Sequence, residues 1–241
     1  MLKYYYKNGK NMSLDSVYNN NCSRIVDTFL TEDAQSFYFA ILRAKTEGVE
    51  DEKAQEIFRT IKSKHFGAYV HAYSVEEYQS MKLVTTESFA GGLAVKDMHT
   101  IVSVFKTKAY KKNLMDELLP EAISLTEGGC YGDCFNGFLP TKYSQFGFEP
   151  VAKLKFNKEY APEDWNYERD GEPDIIFMAH HGQSYDELRK AVTDFSNLSK
   201  SEQRETIATL DDKVKQSITV IPYVSSYEEG EKHQKEFYWP Y

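Results

Sequence analysis

The segment Lys106-Thr107-Lys108-Ala109-Tyr110-Lys111-Lys112-Asn113 places four lysines within seven residues of an otherwise acidic chain. Such a cluster attracts a small anion, a phosphate above all. A second stretch with chemical content is the loop 157–173, NKEYAPEDWNYERDGEP. There Glu159, Glu163, Asp164, Glu168, Asp170 and Glu172 are interleaved with Tyr160, Trp165 and Tyr167. Carboxylates among aromatic faces suit a cationic amine, although solubility alone also makes loops acidic. Cys130 and Cys134 are spaced C-x-x-x-C, too wide for a metal knuckle, and no second pair exists, so they read as buried thiols. His180-His181 have no spaced partner and read as loop residues. HExxH, the Walker A loop and G-x-S-x-G are absent, and Ser88-Phe89-Ala90-Gly91-Gly92 is a turn rather than a nucleophile elbow.

These residues sit in a chain of 241 with 29 basic and 37 acidic side chains, a formal charge of −8. The hydrophobic fraction is 41% and aromatics reach 15%, enough apolar surface for a sizeable core. The acidic balance argues against sequence-independent binding to nucleic acid or to an anionic membrane, which needs a basic face. Three cysteines, Cys22, Cys130 and Cys134, suit a reducing compartment better than a disulfide scaffold. The N-terminus lacks an apolar signal core, and no apolar run approaches the ~18–20 residues of a membrane helix. A cytoplasmic location without membrane attachment is the expectation.

The elements that must position these residues follow from hydrophobic period. Helices are expected over 22–45 and 51–63, a strand over 68–73, and a short helix from a capping box at Ser74 to about Met81. Strands follow at Lys82–Thr85, Gly91–Val95 and Thr100–Lys106. Asp97-Met98-His99 is a tight turn that makes the last two antiparallel neighbours. A helix spans about Asn113 to Thr126, stopped by Gly128-Gly129. Cys130–Phe135 reads as a strand, Leu139–Phe146 as a short helix and Val151–Phe156 as a strand. The loop 157–173 comes next, and Asp174–Ala179 is a strand. Two helical patterns, Tyr185–Phe195 and Lys200–Ser217, precede a tail rich in Tyr, Glu and Lys.

That order, together with Ser103-Val104-Phe105, the run GDCFNGFLPTKYSQFGFEPV and the stretch YAPEDWNYERDGEPDIIFM, resembles the GNAT (Gcn5-related N-acetyltransferase) superfamily. In particular it is similar to the GNAT-like domain of phage and mobile-element polyproteins. The resemblance covers about 110 residues, and its most specific element is the helix with Tyr143 ahead of Gly147-Phe148. It implies an α+β (mixed α/β) fold with a mostly antiparallel central sheet and flanking helices. It also implies acetyl-CoA, or another acyl-CoA, as cofactor. The pantetheine arm would pair with the strand carrying Val104, Phe105 and Lys106. The pyrophosphate would lie on the following turn and helix N-terminus, at Lys106, Lys108, Lys111, Lys112 and Asn113. The family's R/Q-x-x-G-x-G/A turn is missing, since no glycine lies between Gly92 and Gly128. Tyr143 would be the general acid for the leaving thiolate. Asp133, on the preceding strand, and His99, on the turn, are the candidates for general base. Tyr160, Trp165, Tyr167 and Asp170 would line the acceptor site, and no metal is implied.

The division expected is an N-terminal arm and helical extension (1–67), a GNAT-like domain (68–182), and a C-terminal helical extension and tail (183–241). The leading reading is acyl transfer from acyl-CoA to an amine acceptor, protein or small molecule, by direct attack, with a homodimer as the oligomer considered. The alternative is a catalytically inactive GNAT-like binding module, such as a phage or mobile-element factor acting on a host protein. A third reading replaces acyl-CoA by an aminoacyl-tRNA, which the overall acidity disfavours.

Overall fold

The computed structural model describes residues 73, 77, 80–85, 91–106, 113–126, 129–161, 165–180 and 184–237. The helices expected over 22–45 and 51–63, most of the strand at 68–73, Cys22, Lys108, Lys111 and Lys112 lie outside them. So do Glu163, Asp164, His181 and the side chains of Phe105 and Lys106. The chain divides into two compact units, Met1–Met98 with Val102–Leu114, and His99–Ile101 with Met115–Tyr241.

In the first unit, β1 (Lys82–Thr85) and β2 (Gly91–Lys96) are antiparallel, with Lys82 opposite Val95 and Thr85 opposite Gly92. Val84, Leu93, Ala94 and Val95 are buried, so β2 is covered on both faces, as its unbroken apolar run requires. Asp97 and Met98 close the next turn with φ of 51° and 63°. Two successive left-handed residues match the twist of the strands they join. β3 (Thr100–Lys106) follows, and its Ser103 has φ 53°, which breaks the pleat in mid-strand.

The second unit is built around β6 (Ile175–His180), buried from Ile176 to His180. β6 pairs antiparallel with β4 (Cys130–Phe135) on one side and with β5 (Phe148–Leu154) on the other. The register sets Cys130 opposite His180 and Asp133 opposite Phe177. Thr100, at the start of β3, pairs with Tyr131 of β4 in parallel. A parallel pair needs a long crossover, and α1 (Leu114–Ser124) supplies it. Short β7 (Tyr223–Val224) runs parallel to β5 at the edge. The observed architecture is thus mixed α and β, with β1–β2, β4–β6 and β5–β6 antiparallel and β3–β4 and β5–β7 parallel.

Helices cover both faces of this sheet. α2 (Leu139–Ser144) and α5 (Lys200–Val220) take the face of Cys130, Cys134 and Phe148. Two contacts place them there. Tyr143 meets the Phe148 ring at 5.3 Å, and Lys153 reaches the C-terminus of α5, donating to Ile218 O at 2.6 Å. α6 (Tyr227–Phe237) takes the opposite face, where its Tyr227 ring stands edge-on to Phe177 at 5.1 Å. α3 (Tyr167–Asp170) is one turn, and α4 (Tyr185–Asn197) leads into α5. Ser184 and Ser199 each begin a helix with a reciprocal capping box, closed by Glu187 and Glu202.

Three differences from the sequence expectations have physical causes. β5 begins at Phe148 rather than Val151, because a bulge between Pro150 and Ala152 accommodates a proline that breaks the apparent alternation. The described residues of the loop 157–173 form a 3-10 turn at Lys158–Tyr160 and then α3, started by the Asn157 and Asn166 side chains. The supposed tail contains β7 and α6, so residues 184–237 complete the sheet unit with a strand and three helices. No helix among the described residues is long and apolar enough to cross a membrane.

Candidate functional site

β4 carries Asp133 and both cysteines, and its alternation decides which of them can face Tyr143. Cys130 and Cys134 face α2, whereas Asp133 faces α6, because cross-strand partners lie on the same side of a sheet. Tyr143 comes from α2, which Pro140 starts at its first turn. Its side chain is 5% exposed and packed against Phe148. Burial pushes its hydroxyl well above the ordinary tyrosine value, and the neighbouring Cys134, Asp133 and Cys130 push the same way. A phenol held this firmly in its protonated form can donate a hydrogen bond to a developing thiolate.

Asp133 lies across the sheet from Tyr143. Its Oδ1 accepts a 2.6 Å hydrogen bond from Tyr227 Oη of α6. His99, half-buried in the turn before β3, has Nδ1 3.3 Å from Gly129 O and its ring 5.9 Å from that of Tyr131. The three catalytic candidates therefore do not form one hydrogen-bonded set. Asp133 and His99 are associated with β4 from its other face and its N-terminal end, and Tyr143 reaches the strand from below.

Among the cofactor candidates, Val104 is half-buried on β3, Phe105 and Lys106 continue that strand, and Asn113 is exposed immediately before α1. Among the acceptor candidates, the 157–173 segment separates into two kinds of residue. Trp165 is a core residue, 5% exposed, flanked by Phe135 at 5.0 Å and Phe156 at 5.2 Å. Its Nε1 donates to Gly171 O at 2.9 Å. Tyr160, 85% exposed, and Tyr167 remain at the surface. Asp170 is held by Arg169 in a two-pronged ion pair, with Nε 2.8 Å from Oδ1 and Nη2 2.7 Å from Oδ2. Trp165 thus anchors the loop, and the exposed tyrosines are the part that can meet a ligand.

Burial raises the thiols of both Cys130 and Cys134 far above the ordinary range, which leaves them unreactive. No group of three or more His, Cys, Asp or Glu among the described residues could hold a metal ion. Sequence reading missed Tyr227 and Gln234. Gln234 is buried and donates from Nε2 to Gly132 O at 2.8 Å and to Met178 O at 3.0 Å, tying α6 to β4 and β6. A signal existed in Tyr227, Gly230 and Gln234, which recur on one face of a helix at three- and four-residue intervals.

No family model, no curated protein and no solved structure matches the chain.

Proposed function

We propose that the chain is an acyl-CoA-dependent N-acyltransferase of the GNAT type that moves an acetyl group from acetyl-CoA to an amine. The observation that carries this reading is the parallel β3–β4 pair, joined through α1 within a mostly antiparallel set. Of β3 only Thr100 and Ile101 belong to the second unit, and the left-handed Ser103 follows two residues after Ile101. A strand of this kind matches the family's acyl-CoA-binding strand, in which backbone groups serve the amide-rich pantetheine arm.

In the proposed reaction the neutral amine attacks the thioester carbonyl carbon. The C–N bond forms, the C–S bond breaks, and the amine proton passes through water to Asp133 or His99, since Asp133 lies on the opposite face of β4 from Tyr143 and His99 at its N-terminal end. Backbone N–H groups of β3 polarise the carbonyl. Tyr143 donates a hydrogen bond to the departing thiolate; its raised pKa favours this over complete proton transfer. Exposed Tyr160 favours a cationic acceptor in its approach, whereas the Tyr167 ring and Glu172 are already met by Lys158, and Asp170 by Arg169.

Two observations favour the second reading, a GNAT-like binding module without turnover. Tyr143 is sealed at 5% exposure, and Asp133 already accepts from Tyr227. Thiol release from acetyl-CoA in the presence of simple amines, with product mass measured, separates the two. The enzyme reading expects amine-dependent CoA release that Tyr143→Phe slows about tenfold or more while cofactor affinity is retained. Cofactor binding with no transfer to any amine, protein or peptide would instead establish the binding module.

A further inference from the structure

The two candidate bases differ in how firmly the chain holds them. His99 has one long contact, Nδ1 to Gly129 O at 3.3 Å, and a tilted ring contact with Tyr131. Asp133 instead meets α6, which core contacts fix in place. Tyr227 Oη donates to Asp133 Oδ1 at 2.6 Å. The Tyr227 ring stands edge-on to Phe177, the residue opposite Asp133 on β6, so the ring that carries the donor rests on Asp133's own cross-strand neighbour. About one turn further along α6, Gly230 sits on the same Phe177 ring. A turn beyond that, Gln234 Nε2 donates to Gly132 O and Met178 O, the adjacent pair in the β4–β6 register. Phe177 and Gln234 are buried. The place of the Tyr227 phenol is therefore set from the core, not by its one hydrogen bond at the surface.

We infer that Tyr227 is the positioning residue of Asp133, and that this selects Asp133 over His99 as the group that takes up the amine proton through water. The part played in transfer rests on the acyl-transfer reading; the hold of Tyr227 on Asp133 does not. A carboxylate has two oxygens and about four acceptor positions, so one donated hydrogen bond orients it without exhausting it. Water reaches the pair, since Asp133 is half-buried and Tyr227 is 41% exposed. A hydrogen bond donated to a carboxylate also favours its ionised form, the form that accepts a proton. The other titratable groups toward this side are few. Tyr131 lies two residues away on the same face of β4, with the His99 ring against it. β6 contributes the uncharged Phe177, and α6 adds half-buried Glu231 and His233 beyond Tyr227.

The test pairs a titration with kinetics on the full chain. Carbon NMR of protein labelled at its aspartate carboxyls, with Asp133 identified through Asp133→Asn, follows its protonation across the acid range. Tyr227→Phe keeps the ring on Phe177 and removes only the donor, so Asp133 should then titrate at a pH higher by roughly half a unit or more. With acetyl-CoA and benzylamine as probes, Tyr227→Phe should lower kcat about threefold or more and leave KM for acetyl-CoA unchanged. The acid limb of the kcat profile should move up with the titration. Asp133→Asn should slow transfer at least about tenfold more than His99→Asn. Circular dichroism establishes that each variant is folded. An Asp133 titration that Tyr227→Phe leaves in place overturns the inference. So does an acid limb that Tyr227→Phe does not move, or transfer that His99→Asn slows as much as Asp133→Asn. A shifted titration in a chain that acetylates no amine supports the hold of Tyr227 on Asp133 and refutes the acyl-transfer reading alone.

Discussion

Gly230 of α6 sits directly on the ring of Phe177, so replacing it by alanine tests how α6 is docked. A Cβ built at Gly230 lies 2.5 Å from Phe177 Cε1 and nearer still to Cζ and Cε2. Phe177 is fully buried and cannot swing away, being enclosed by Ala152, Val224 and the Tyr227 ring. Alanine in an unobstructed helix interior is favoured over glycine by about 1 kcal/mol. Forcing a methyl group into a packed core costs about 1–3 kcal/mol, occasionally more, and this overlap belongs at the upper end. The net expectation for Gly230→Ala is therefore a loss of about 2 kcal/mol. At about 2–4 °C per kcal/mol for a chain of this size, Tm should fall by about 4–8 °C. Urea unfolding followed by circular dichroism measures it, with calorimetry as the second probe. In a Phe177→Leu background the alanine should cost at least 1 kcal/mol less, the coupling expected of residues in direct contact. A Gly230→Ala protein as stable as the parent, or more stable, would refute the close docking of α6 on β6.

Other consequences follow from the same contacts. Lys153→Met removes the donor to Ile218 O and Thr219 O at the end of α5 and should cost about 1–3 kcal/mol by leaving buried carbonyls unpaired; unchanged urea midpoints would contradict that role. Cys130 and Cys134, both buried with raised pKa values, should resist a thiol reagent at pH 8 in a Cys22→Ser chain and react together only on unfolding; fast labelling of the native protein would contradict their burial. Glu187 and Glu202 have lowered pKa values because each accepts hydrogen bonds from a capping serine. Their contribution is present above the ordinary glutamate value near 4.5 and is lost as pH falls through the lower folded values. Glu187→Gln/Glu202→Gln should thus be less stable than the parent at pH 7 and approach it as pH falls below the ordinary glutamate value; a gap independent of pH would contradict the capping account.

Much of the strand and helix order was legible because it rested on local period. GGLAV and IIFMA are apolar runs of strand length, although His180, which reads as a loop residue in the sequence, is the buried last residue of β6. Leu114–Ser124 repeats apolar residues at helical spacing, even across Pro120. The start of β5 was not legible, since Gly147 and Pro150 have the local character of a turn, and only pairing with β6 makes the segment a strand. α6 escaped because its apolar face is formed by Tyr227, a glycine and Gln234, whose fit depends on Phe177 and on carbonyls of two distant strands. The site was legible as residue types and less so as geometry. Strand period already separates Cys134 from Asp133, but which face receives α2 and which receives α6 is fixed by long-range packing. Trp165 shows the same limit: its ring became core because Phe135 and Phe156 meet it from other elements.

The proposed function depends first on whether the chain binds an acyl-CoA. Calorimetric titration of acetyl-CoA and CoA into the full chain, alongside Lys108→Ala/Lys111→Ala/Lys112→Ala, measures this directly. The account predicts saturable one-to-one binding of both cofactors, with affinity reduced at least tenfold in the triple variant. No heat of binding at millimolar cofactor to a folded chain would contradict it.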